Sequence, residues 1–81
     1  MARYFFHTED GRCFCDEHGS ELATLDAVRA RAVQSFVEMQ QVLSAEIWSE
    51  GGLRMIVTDD TGLTLATLEL VVVNAPAFAQ R

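Results

Sequence analysis

Eighty-one residues and 9.0 kDa make one small domain, because a chain this short buries only roughly 60% of its unfolded surface. Forty residues are apolar, but ten are Ala and two are Cys, so 28 larger side chains supply the core, enough for one layer packed on another. Six Arg and no Lys stand against twelve Asp and Glu, and the resulting net charge of -6 disfavours nucleic-acid binding by bulk charge. No run approaches the ~20 apolar residues of a membrane span, and Met1 to Thr8 lacks the basic and apolar regions of a secretion signal, so the expected location is cytoplasmic.

Arg3 to Glu9 (RYFFHTE) is aromatic and free of Gly and Pro, which predicts a strand, and Asp10-Gly11 suits a hairpin turn into a second strand at about Arg12 to Cys15. Asp16-Glu17-His18-Gly19 has the composition of a type I turn, with Leu22 anchoring the loop beyond it. From Leu25 to Trp48 no Gly or Pro interrupts the chain; Thr24 is the N-cap, Asp26 suits the helix's positive end, and Gly51-Gly52 stops it. Leu25, Val28, Ala32, Phe36, Met39, Leu43 and Ile47 fall within about 100° of arc, a core-facing stripe, with Arg31, Gln34, Glu38 and Gln41 opposite. Ala30, Val33, Val37 and Trp48 form a second apolar strip that a lone sheet-covering helix does not need.

Leu53 to Thr58 is a third strand, Asp59-Asp60-Thr61-Gly62 a turn, and Leu63 onward a fourth strand. These elements predict an α+β fold, ββ-α-ββ: a four-stranded antiparallel sheet in the order 2-1-3-4 with one long helix packed on one face. Residues 1–73 form the domain and 74–81 a flexible C-terminal tail that frays.

Strand lengths in this scheme do not match. If Thr58 sits opposite Leu63, Leu53 sits opposite Leu68, and Glu69 to Val73 are left without a partner in the third strand. Such an apolar, β-branched edge invites another chain. Strand one also carries Tyr4 and Phe6 on one side and Phe5 and His7 on the other, two aromatic sets that one helix cannot cover. A 24-residue helix of about 36 Å outruns strands of about 20 to 23 Å. The expected result is a homodimer whose interface holds Leu68, Leu70, Val71, Val72, Val73, Leu43, Ile47 and Trp48. The alternative is that Leu70 to Val73 folds back over its own helix end.

Chemistry-bearing residues are sparse. Cys13, Cys15 and His18 spell C-x-C-x-x-H, and His7 on the adjacent strand could complete an N2S2 set suited to zinc, although structural zinc sites more often use C-x2-C spacing in loops. Cys13 and Cys15, at i and i+2 of a strand, point the same way with Cα atoms about 6.5 Å apart, where an intrachain disulfide would be strained. Reduced thiols and a half-buried strand histidine are the simpler expectation, and no metal or other cofactor is expected. No nucleophile elbow or phosphate-binding glycine loop is present, Asp59-Asp60 reads as turn chemistry, and no catalytic residue or enzyme activity is expected.

Arg3-Tyr4-Phe5-Phe6-His7, Asp10-Gly11, Asp16-x-x-Gly19-x-Glu21-Leu22, Leu25-x-Ala27-x-Arg29-x-x-Ala32 and Val57-Thr58-Asp59-Asp60-x-Gly62 together resemble a family of short bacterial domains of unknown function that often stand alone, over roughly residues 3 to 68. The order of elements also resembles antitoxin-type β-β-α-β domains that dimerise, a likeness of topology alone. Neither implies an activity. The expected function is a small non-enzymatic interaction or regulatory module acting as a homodimer, presenting Glu38, Glu46 and Glu50 to a protein partner. One alternative is a metal- or ligand-binding module at Cys13, Cys15 and His18. The other is an antitoxin-like DNA- or toxin-binding regulator, which needs Arg3, Arg12 and Arg54 on one face.

Overall fold

The computed structural model describes residues 2–79, so Met1 and the last two residues of the tail expected to fray, Gln80 and Arg81, lie outside the described residues. Strand β1 spans Ala2–Glu9, β2 Cys13–Phe14 and β3 Ser20–Leu22; helix α1 spans Leu25–Val42 and α2 Ser44–Glu50; β4 spans Gly52–Thr58, β5 Thr64–Val71, and α3 is a single turn, Pro76–Ala79. The fold is α+β with an antiparallel sheet. Its order is β2-β1-β4-β5, with β3 also paired to β1. Five strands replace the four expected. The added one, Ser20–Leu22, pairs with Ala2 to Tyr4 and is too short and polar to stand out in the sequence.

Alternation sorts the strands into two faces. Leu53, Met55 and Val57 of β4 pack with Val28, Ala32 and Phe36 of α1 and Ile47 of α2, and Tyr4, Phe6, Leu68 and Leu70 close around them. Met55 and Val57 are the most deeply buried large side chains. The other face carries Phe5 and His7, stacked with parallel rings 6.2 Å apart, and Arg54, which bonds Glu69 at 2.7 Å and lies 3.7 Å from Glu9. Gly19 lies over Phe5: its φ is +70°, and a Cβ there would meet the Phe5 ring at 2.9 Å and the Tyr4 carbonyl at 2.8 Å. Part of the second aromatic set, expected to be covered by self-association, is therefore covered by the chain's own loop.

The expected single helix is broken. Leu43, at φ −105° and ψ 28°, ends α1 and begins α2. A straight helix of this length would carry its last two turns past the sheet; the break brings Ile47 down into the core beside Leu53 and leaves Leu43 half-buried against it. Thr24 caps α1 through its hydroxyl, which accepts from the Ala27 N–H at 3.1 Å, and Gly51, in the left-handed conformation, ends α2 by donating to the Ile47 carbonyl.

The expected five-residue surplus of the last strand is also corrected. Leu53 pairs with Leu70, not Leu68, and Gly52 with Val71, with an irregularity between Val57 and Thr58. A loop one residue longer than the expected turn supplies one position of this shift, since Thr58 pairs with Thr64, and the irregularity at Leu65 supplies the other; the Asp59 carboxylate braces the loop. It accepts the Thr61 hydroxyl at 2.7 Å and the N–H groups of Thr61 and Leu63 at 2.9 and 3.0 Å, holding open a loop wider than a four-residue turn. Glu69 to Val71 thereby find partners within the chain, and the Val72 N–H donates to the Gly51 carbonyl at 2.8 Å.

Candidate functional site

The outer edge of β1 is closed by three pieces of one loop. β2 pairs with Thr8 and Glu9, β3 pairs with Ala2 to Tyr4, and between them the Asp16 carboxylate accepts the Phe6 N–H at 3.2 Å. Asp16 also accepts from the N–H groups of His18 and Gly19 at 3.2 and 3.0 Å, and its own N–H donates to His7 Nδ1 at 3.0 Å. That bond leaves the ring proton on Nε2, which lies 3.1 Å from the Thr58 hydroxyl on β4. Burial pushes the Asp16 carboxyl up, but the N–H groups of Gly19, Phe6 and His18 and the nearby His7 outweigh it and hold it below the usual aspartate range. The sequence signals only the Asp-x-x-Gly turn and gives no sign that one carboxylate stoppers a strand edge.

Cys13 and Cys15 are exposed and unbridged, with their Sγ atoms 3.7 Å apart. The hydrogen bond with Cys15, burial, and the charges of Cys15 and Glu9 raise the Cys13 thiol above its ordinary range. The four residues weighed for zinc are not assembled: both His7 ring nitrogens are engaged elsewhere, and among the described residues no group of three or more His, Cys, Asp or Glu could hold a metal ion.

The opposite edge of the sheet has a different character. Nothing among the described residues pairs with the outer side of β5. Between it and α1 runs an apolar groove of 490 Å³ lined by Leu25, Val28, Val33, Leu65 and Leu68, with Arg29 the one charged residue. Val33 is 56% and Leu65 43% exposed. A second groove of 620 Å³ follows at the far end, between Ile47, Trp48 and Val71 to Val73, where Phe78 tilts against Trp48 at 5.8 Å. Of the residues expected at a dimer interface, Val71, Val73 and Trp48 are exposed and Leu68, Leu70, Val72 and Leu43 half-buried, whereas Ile47 lies in the chain's own core. Leu25, Val33, Val37, Leu63 and Leu65 are exposed beside them and were not expected there; the flanking helical strip was the signal for Val33 and Val37, whereas Leu25, expected in the core-facing stripe, lies at the first turn beyond the sheet's cover and is exposed.

Among the described residues Arg3, Arg29 and Arg54 stand in ion pairs. Arg3 bonds Glu21 at 3.0 Å, Arg54 bonds Glu69 and faces Glu9, and Arg12 lies over the Phe14 ring at 5.2 Å, so the three arginines do not form one basic face. Glu38, Glu46 and Glu50 are partly or fully exposed along α1 and α2. A cleft of 240 Å³ between Glu9, Asp10, Glu50 and Arg54 adds to the acidic surface; Asp10 is 3% exposed, and its Oδ2 has no hydrogen-bond partner among the described residues. No helix among the described residues is long and apolar enough to cross a membrane.

A family profile described as Domain of unknown function (DUF6894) matches residues 3–71. No curated protein and no solved structure matches the chain.

Proposed function

We propose that this chain, which belongs to the DUF6894 family, is a non-enzymatic interaction or regulatory module that works as a homodimer joined along β5. The observation that carries this reading is the unpaired β5 edge beside a groove walled by exposed Leu25, Val33 and Leu65. An open edge offers a row of backbone donors and acceptors, and the apolar side chains next to it favour a dry contact. A second copy fits it by charge: the chain carries a net charge of -6, yet the groove holds one charged residue, Arg29, so antiparallel pairing of two β5 strands about a twofold axis opposes few like charges. Such a dimer leaves Glu38, Glu46 and Glu50 free to meet a protein partner of basic character.

Sedimentation equilibrium at micromolar concentration tests the proposal. The expected mass is about 18 kDa, twice 9.0 kDa, with Leu65→Lys reverting to the single-chain mass while keeping its circular dichroism. A wild-type particle of one chain mass contradicts the dimer, and an 18 kDa mass unchanged by both Leu65→Lys and Val33→Asp contradicts the β5 surface.

A further inference from the structure

The C-x-C thiols are absorbed neither by the interaction surface nor by a metal set. We propose that Cys13 and Cys15 form a redox-modification site that closes into an intrachain disulfide by exchange with a low-molecular-weight disulfide. Three observations carry it. The two Sγ atoms already face each other at 3.7 Å, so closure to about 2.05 Å asks for a small rotation of two side chains. Both thiols are exposed, so a small disulfide can reach them. Residues i and i+2 of an extended segment lie ~6.6 Å apart at Cα, the upper end of the bridgeable range; the adjustment falls on β2, which has only two paired residues, and spares the rest of the sheet.

One of the two sulfurs attacks as thiolate. It bonds to one sulfur of the small disulfide, the S–S bond of that molecule breaks, and one thiolate leaves with the electron pair. The second protein thiol, whose sulfur lies 3.7 Å away, then gives its proton to solvent and attacks the first. The Cys13–Cys15 bond forms as the second small thiolate leaves and is protonated. Two protein thiols are oxidised and one small disulfide is reduced to two thiols, with no other oxidant required. The first step is bimolecular and the second intramolecular, so the mixed disulfide does not accumulate.

The site is on β2, at the sheet edge opposite β5. Pairing along β5 leaves it accessible, so the redox site and the dimer stand or fall separately.

Intact-mass spectrometry of the reduced full chain, incubated with glutathione disulfide at neutral pH and quenched in acid, is the test. The wild type is expected to lose the mass of two hydrogen atoms, located by digestion to residues 13–29. Cys13→Ser and Cys15→Ser are each expected to stop at a stable adduct of one glutathione on the remaining cysteine. A wild-type chain that ends with stable glutathione on both cysteines, or as a disulfide-linked pair of chains, overturns the intrachain site. Unchanged circular dichroism of both variants confirms that the adducts are read on the native fold.

Discussion

The outer edges of β1 and β5 belong to one sheet and are finished in opposite ways. Along β1, two short strands and one carboxylate use up the backbone groups: β3 takes Ala2 to Tyr4, Asp16 takes the Phe6 N–H, and β2 takes Thr8 and Glu9. Along β5, eight residues run without a partner on the outside among the described residues, beside exposed Leu25, Val33 and Leu65. A single chain can blunt an edge with a polar loop of its own, and where it does so no partner is required. Where it leaves both the backbone and the adjoining side chains uncovered, the edge is the place to look for one.

The largest expected effect comes from removing the stopper. Asp16→Ala leaves the N–H groups of Phe6, His18 and Gly19 without their acceptor and is expected to cost about 3 kcal/mol, a large part of the ~4 to 12 kcal/mol available to a domain of this size; urea unfolding measures it. A loss below about 1 kcal/mol shows that the β1 edge is not held by this carboxylate.

The same residue sets an acid-side dependence. The Asp16 carboxyl is lower in the folded chain than in the unfolded one, so at intermediate pH the unfolded state binds more protons, and stability falls as pH falls. The contribution is fully present above the unfolded value of about 3.9 and is lost as pH drops through the lower folded value. Asp59, held low by the Thr61 hydroxyl and by the N–H groups of Thr61, Leu63 and Gly62, acts in the same direction. Unfolding curves between neutral and acid pH are therefore expected to be flatter for Asp16→Ala than for the wild type, with a residual slope from Asp59. A slope identical to the wild type's contradicts the role given to Asp16.

Next in size is Gly52→Ala, which tests whether β5 pairs along its whole length. A Cβ at Gly52 would lie 2.3 Å from the Leu70 carbonyl at φ +157°, and the expected cost is about 2 kcal/mol. Gly51→Ala, at φ +85° with open space around it, is expected to cost about 1 kcal/mol. Equal costs would favour the shorter register, with Leu53 opposite Leu68, in which the Leu70 carbonyl does not reach Gly52. Smallest is Arg54→Ala. Its half-exposed pairs with Glu69 and Glu9 are expected to contribute less than about 1 kcal/mol, falling further in high salt. A larger, salt-independent loss would mean that the open face is covered more tightly than the side-chain exposures indicate.

The helical stretch and the apolar last strand are legible in the sequence, but the parts of the fold that decide this contrast are not. Thr24 and Gly51 marked the helical stretch because capping is local chemistry. The break at Leu43 was not legible, since neither Gly nor Pro stands there and the cause is the short sheet beneath. The register of β5 is not legible because Asp59-Asp60-Thr61-Gly62 has the composition of a tight turn, whereas the Asp59 side chain reaches on to the Leu63 N–H and adds one residue to the loop, and because nothing in the sequence marks the irregularity at Leu65 that adds the second. The i, i+2 spacing of Cys13 and Cys15 predicted that they share a side of the chain but not that their sulfurs meet. Asp16 looked like a solvated turn residue; its role depends on a gap between two strands, one of which, Ser20–Leu22, is too short to read.

Amide hydrogen exchange of β5, followed residue by residue at micromolar and at much lower concentration, tests the proposed pairing most directly. The amides of Thr64–Val71 that are not bonded to β4 are expected to be protected at the higher concentration and to lose that protection on dilution. Fast exchange of those same amides at every concentration would contradict a homodimer joined along this edge.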